Sequence, residues 1–218
     1  MKKLFKIAAK LLLLLVLLVI MSFFIDKGLY YEFIMEDGLI EYLTALLLLV
    51  ISVLLIIKMV KVRYSRGCKW LVFNILIALG LFFGFGEEIS WGQRIFEVTS
   101  SDFFMENNLQ KETNLHNLDI NGLKINKWVF SYGFSILFGI YFLLSLVIYK
   151  KHEFVKKNID EFGIPLPKVF HSIIFIVITI AIMIIPDDGK WELWECLFAI
   201  VLLMIFLEPY NSAEKLLL

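Results

Sequence analysis

Cysteine, histidine and net charge are all scarce in this chain, and each scarcity removes a class of function. Two cysteines in 218 residues, Cys68 and Cys196, cannot build a disulfide framework or a four-thiolate zinc centre. One sits in a basic loop and the other in an apolar run. On the topology derived below they lie toward opposite membrane faces, so both read as packing residues. Of three histidines, His152 and His171 fall in or beside basic segments, leaving His116 alone near the acidic motifs. A histidine-rich zinc site is therefore excluded. Net charge is zero, with 21 basic and 21 acidic residues, so nothing points to a nucleic-acid partner. The chain contains no P-loop, nucleophile elbow or dinucleotide fingerprint, no internal repeat and no low-complexity linker.

What remains is apolar. Hydrophobic residues make up 60% of the chain and charged residues 19%, and the excess is concentrated in runs long enough to cross a bilayer. A water-soluble helix needs only one apolar stripe, whereas these segments are apolar all round. The expected fold is an all-α, polytopic bundle of about six transmembrane helices in one domain. The spans fall near residues 7–25, 39–57, 70–85, 127–149, 168–185 and 191–207, with a polar motif region at 86–126. The first run follows four lysines and resembles a secretory signal peptide. Its length and the lack of a small-x-small cleavage site before Asp26 favour an uncleaved signal anchor.

Orientation follows from the basic residues. The N-terminus, the loop bearing Lys58, Lys61, Arg63, Arg66 and Lys69, the loop bearing Lys150, Lys151, Lys156, Lys157 and Lys168, and Lys215 hold fifteen of the 21. The positive-inside rule makes this face cytoplasmic, with both termini inside. Sixteen of the 21 acidic residues then lie at the outer face, where the motifs also sit.

The strongest motif is Gly86-Glu87-Glu88-Ile89-Ser90-Trp91-Gly92-Gln93-Arg94, which closes the third span. If the helix continues through it, Glu87, Ser90, Trp91 and Arg94 share one face and Glu88 points to an adjacent one. Carboxylates at the hydrocarbon boundary are costly to desolvate and mark functional positions. The plainer reading is an ion pair between Glu87 or Glu88 and Arg94 that holds the loop. Gly80 and Gly84, just before the motif, form a small-xxx-small pair that suggests close helix packing.

A second motif, Asn107 to Asn117, is dense in amides and carries Glu112, Asn114, His116 and Asn117, with few of the residues that make linkers flexible. If helical, it sets Glu112 and His116 on one face, where a carboxylate can orient an imidazole or join it in binding a metal. Alternatively the amides simply pin the loop by bonding backbone groups. Glu36-Asp37-Gly38 leads into the second span with Glu41 one turn inside, and Asp187-Asp188-Gly189 leads into the last, with Glu192 and Glu195. Helix-dipole capping accounts for Asp37 and Asp188 but less well for Glu41 and Glu195, which lie deeper.

The paired motifs, residues 86–94 and 112–117, resemble those of a group of bacterial multi-pass membrane proteins of uncharacterised activity. Residues 36–45 and the Glu192/Glu195 pair fit the same likeness, which implies a bacterial inner-membrane location. A weaker similarity is to the CPBP (CAAX-protease-like) intramembrane proteases, whose hallmark is a Glu-Glu pair followed by Arg. Here Arg94 stands too far from Glu87-Glu88, and no histidine matches that family's later helices, so its mechanism is not carried over.

These residues lead to one expected function and two alternatives. The first is a membrane-embedded hydrolase or transferase acting at the outer leaflet on a lipid or lipid-linked substrate. In it Glu87 or Glu88 serves as base or metal ligand, Glu112 and His116 as ligands or an acid/base pair, and Arg94 as an anion clamp. Ser90, Trp91, Gln93, Asn114, Asn117, Glu41, Glu192 and Glu195 support them. A divalent metal held by Glu88, Glu112 and His116 would be Mg²⁺, Mn²⁺ or Ca²⁺ rather than Zn²⁺. The alternatives are a non-enzymatic sensor or partner subunit that reads a ligand through the outer loop, and, last, an ion-coupled transporter. The apolar midplane argues against transport.

Overall fold

The computed structural model describes residues 2–35, 37–115, 117–120, 123–124, 133–211 and 213. It is mostly helical, with two two-residue strands, Asp119–Ile120 (β1) and Leu123–Lys124 (β2), paired antiparallel. The helices are α1 (Lys2–Ile25), α2 (Lys27–Ile34), α3 (Leu39–Val62), α4 (Cys68–Glu88), α5 (Asp102–Asn107), α6 (Phe134–Gly139), α7 (Ser145–Lys151), α8 (Glu153–Phe162), α9 (Val169–Met183) and α10 (Lys190–Leu207). A π turn over Ile140–Leu144 joins α6 to α7.

Among the described residues, three helical segments are long and apolar enough to cross a membrane: Lys3–Ile25, Lys27–Ser65 and Cys68–Glu88. Six were expected. The physical reason lies in the other three regions. Helix α9 is only fifteen residues long, and α10 carries Lys190, Glu192 and Glu195 within its eighteen. The fourth expected span begins among residues 127–132, outside the described part of the chain, and is helical from Phe134 to Lys151.

Helix α10 is the centre of the bundle. From Leu193 to Leu207 it buries residues on every side, among them Leu197, Ala199, Ile200, Val201, Leu203 and Ile205, each 1% exposed or less. That burial explains why its sequence shows no polar stripe: α1, α3 and α9 all pack against it. Helices α3 and α4 form a closely packed pair, and the buried Ser52 hydroxyl donates across it to the Ala78 carbonyl at 2.8 Å. Of the two glycines expected at a close helix contact, only Gly84 serves. A Cβ there would lie 3.2 Å from Leu48, whereas Gly80 faces open space.

The contacts sort the helix ends into two groups. At one end lie the start of α1, the start of α4, α8 and the segment after α10. There Lys6 pairs with Glu208, Lys69 bonds Glu161 at 2.8 Å, and Asn211 exchanges hydrogen bonds with the backbone at Leu166 and Ile164. Lys69 holds the Glu161 carboxyl below its usual range, by hydrogen bond first and charge second. At the other end, the start of α3, the close of α4 and the start of α10 gather the acidic groups.

Candidate functional site

Helix α4 stops at Glu88, and the next residues wind the other way. Ser90, Trp91 and Gly92 have φ of 46°, 54° and 78°. Left-handed backbone costs a non-glycine residue roughly 1–2 kcal/mol, so two such residues need specific support. They have it. The Ser90 hydroxyl donates to Glu112, and the Trp91 indole N–H donates to Glu87 at 2.9 Å. The turn folds the Trp91 ring back over Gly86, where an added Cβ would sit 2.9 Å from three ring atoms. The expected continuous helix through Arg94, with Glu87, Ser90, Trp91 and Arg94 on one face, is therefore corrected. Glu87 and Trp91 still meet, but through a reversal of the chain.

That reversal brings the two motifs together. Gln93 accepts from the Thr113 backbone N–H at 2.7 Å and from the Ser100 hydroxyl at 2.8 Å. The second oxygen of Glu87 accepts the Leu115 N–H at 2.6 Å. Arg94 pairs with both Glu112 and Asp37, which ties the second motif to the turn before α3. Asn114 donates to the Ser90 hydroxyl at 3.0 Å and to Glu112 at 3.1 Å. Nearly every polar group here is buried: Glu87, Ser90, Asn108, Glu112, Asn114 and Asn117 are all 8% exposed or less.

The second motif is a loop, not the helix that would set Glu112 beside His116. Its organiser is Asn108. The side-chain amide donates to both oxygens of Asn114, at 2.9 and 2.7 Å, and its carbonyl accepts the Gln110 and Glu112 N–H groups at 2.9 and 3.2 Å. Asn117 in turn bonds Gln110 and the Asn114 side chain. An amide side chain can replace a backbone ladder in this way because it carries a donor and an acceptor at fixed spacing. His116 lies outside the described residues.

Glu88 takes a different direction. Its carboxylate gathers with those of Glu192 and Glu195 from α10, the ligand atoms all within 4.8 Å of one another. Glu41 of α3 and Glu87 also face Glu88 electrostatically. Cys196 is buried one residue beyond, against Thr44. Of the expected metal set of Glu88, Glu112 and His116, the two described acids have different partners. Glu112 belongs with Arg94, Ser90 and Asn114, and Glu88 with Glu192 and Glu195. Sequence reading held Glu192 and Glu195 as supporting residues and passed over Asp37 and Asn108. Asp37 looked like an ordinary cap, and nothing local marks which of several asparagines will organise a loop.

Helix electrostatics separate these acids. Glu41 and Glu192 occupy first turns, where the macrodipole favours a carboxylate. Glu88 is the last residue of α4, the end that disfavours negative charge, and it sits beside two more carboxylates. Three carboxylates this close are eased by a shared proton or by a cation between them. The arrangement can therefore bind a hard cation through oxygen ligands, or pass a proton between acids.

The packing of Trp91 on Gly86 gives a test. Gly86→Ala is expected to destabilise the protein by about 1–3 kcal/mol, because the ring must leave its seat and its bond to Glu87. In a Trp91→Ala background the same change should be neutral or stabilising, since alanine is the better helix residue. Thermal melts of the four proteins measure the cycle, and equal effects in both backgrounds would show that the ring does not rest there.

No protein-family model, curated protein or solved structure matches the chain.

Proposed function

We propose that the chain is a membrane-embedded hydrolase or transferase whose working groups are Glu88, Glu192 and Glu195, acting on a lipid or lipid-linked substrate at the outer face of a bacterial inner membrane. The observation that carries this reading is Glu88 itself. It stands at the unfavourable end of a helix, against two further carboxylates, at the end of a segment long enough to span a bilayer. Glu87 and Glu112 are absorbed in bonds that hold the loop. They are positioning residues, together with Ser90, Trp91, Gln93, Arg94 and Asn114.

In this reading six spans cross the membrane with both termini inside. Its supports are the clustering of basic segments at one end of the bundle and the helices that cover five of the apolar runs and the described part of the other. Glu88, Glu192 and Glu195 would hold a divalent cation, Mg²⁺, Mn²⁺ or Ca²⁺ by their chemistry, which would supply Lewis-acid polarisation of a substrate oxygen when bound, and one of these acids moves a proton. Substrate arrives sideways, without leaving the bilayer.

Elemental analysis of purified protein, wild type against Glu88→Gln and Glu195→Gln, tests the reading. Stoichiometric metal lost in both variants is expected. Metal-free wild type removes the cation and leaves proton transfer alone. If Glu88→Gln, Glu192→Gln and Glu195→Gln each also restore full function to cells lacking the protein, the enzyme reading fails. A non-enzymatic sensor or partner subunit would then take its place, favoured by the internally bonded, rigid outer loop.

A further inference from the structure

The turn that follows α4 displays apolar side chains on a backbone with little freedom to withdraw them. Trp91 is 46% exposed, Ile95 57%, Phe96 74% and Val98 59%. Their frame is closed by backbone bonds from Phe96 N–H to Gly92 O at 2.9 Å and from Val98 N–H to Gln93 O at 2.9 Å. The Gln93 side chain is itself tied to Ser100 and Thr113. Glycine at position 92 is required twice over: its φ is positive, and a Cβ there would meet the Phe96 ring at 2.9 Å. The fold thus fixes these residues outward, where water would otherwise meet them.

Their neighbour says what covers them. The Trp91 ring meets Phe83 of α4 edge-on, centroids 5.6 Å apart, and Phe82 and Phe83 are themselves exposed. Below them Val72, Ile75, Leu76 and Leu79 continue an exposed apolar surface along α4, a helix long enough to cross a bilayer with most of its apolar window unburied inside the protein. The apolar surface of the turn is continuous with the face that α4 presents to lipid. Glu97, exposed between Phe96 and Val98, limits how far the turn can sink.

We propose that Trp91, Ile95, Phe96 and Val98 form a shelf that beds into the headgroup–acyl boundary of the leaflet at the Glu88 end of α4, with phospholipid as its ligand. Aromatic and aliphatic groups beside a charged one suit that boundary, where apolar faces are buried about 5–10 Å deep. The shelf requires only that α4 span the membrane and is independent of any chemistry at Glu88. If both readings hold, it fixes Glu88 at the lipid interface, so a substrate enters from the bilayer.

The test uses the full chain with Cys68→Ser, reconstituted in vesicles of phosphatidylcholine and phosphatidylglycerol. Nitroxide labels are placed singly at Ile95→Cys, Phe96→Cys and Val98→Cys, with Leu79→Cys as a lipid reference and Glu106→Cys as a water reference. At the shelf positions, collision with oxygen should exceed collision with a water-soluble nickel chelate several-fold, as at position 79. Nickel access equal to that at position 106 would overturn the proposal. Labels shielded from both reagents would also overturn it, because they would show a protein surface, a partner or a second copy, seated on the shelf. Full function of Glu88→Gln with an intact lipid signature would fault the enzymatic reading alone.

Discussion

Glu112→Ala is expected to lower the stability of the polar region that follows α4 by about 3 kcal/mol, the scale for removing one member of a buried ion pair. Glu112 is 5% exposed and accepts from Ser90 and Asn114 while pairing with Arg94. Its loss strands a guanidinium that keeps Asp37 and takes the acceptor from the left-handed turn at Ser90. Glu112→Gln should fall between, since an amide oxygen still accepts but carries no charge to meet Arg94. Melting in detergent reads the global effect. Trypsin reads the local one, because Lys111 is exposed at a strained backbone position and cleavage after it should quicken. An unchanged melt with unchanged cleavage would mean that the two motifs do not depend on each other.

Glu88→Gln should act in the opposite sense. In chelator, the wild-type cluster of Glu88, Glu192 and Glu195 must tolerate like charges or take up a proton. The amide removes that burden, so the variant is expected to be more stable than wild type by on the order of 1–3 kcal/mol. The ceiling is about 3–4 kcal/mol at pH 7, the free energy of protonating an ordinary carboxyl there. Added Mn²⁺ or Ca²⁺ should then raise the wild-type melt and leave the variant unmoved. A residue kept for stability would lose stability when neutralised; a gain paired with lost cation response marks one kept for function. Should Glu88→Gln melt lower than wild type in chelator, the carboxylate is structural and the proposed site is lost.

The contrast between Glu87 and Glu88, adjacent residues of one motif, shows where sequence reading stops. Both Glu87 and Glu88 stand at the end of an apolar run, and burial cost alone marks them equally. Only the left-handed turn at Ser90–Gly92 separates them. It swings Trp91 and the second motif onto Glu87 and leaves Glu88 to face α10. No local pattern predicts that turn, because Ser90 and Trp91 reach it through partners more than twenty residues away or folded back from the helix. The helical alternative for the second motif failed for a related reason: the Asn108 side chain supplies bonds that a helix would have supplied from backbone.

The sequence alone suffices for the helical class, the positions of the apolar segments and the gathering of acidic and amide residues into two motifs. These depend on composition and periodicity, which act over a turn or a span and need no distant partner. It also identified the plainer reading of the second motif, a loop pinned by amides. Which acids meet was settled by long-range packing. Arg94 took both Glu112 and Asp37, and Glu88 met Glu192 and Glu195; the Arg94–Asp37 and Glu88 contacts join ends of α3, α4 and α10 across more than fifty residues of chain. Charge interactions depend on distance in space, and that distance is set by how α10 seats in the middle of the bundle.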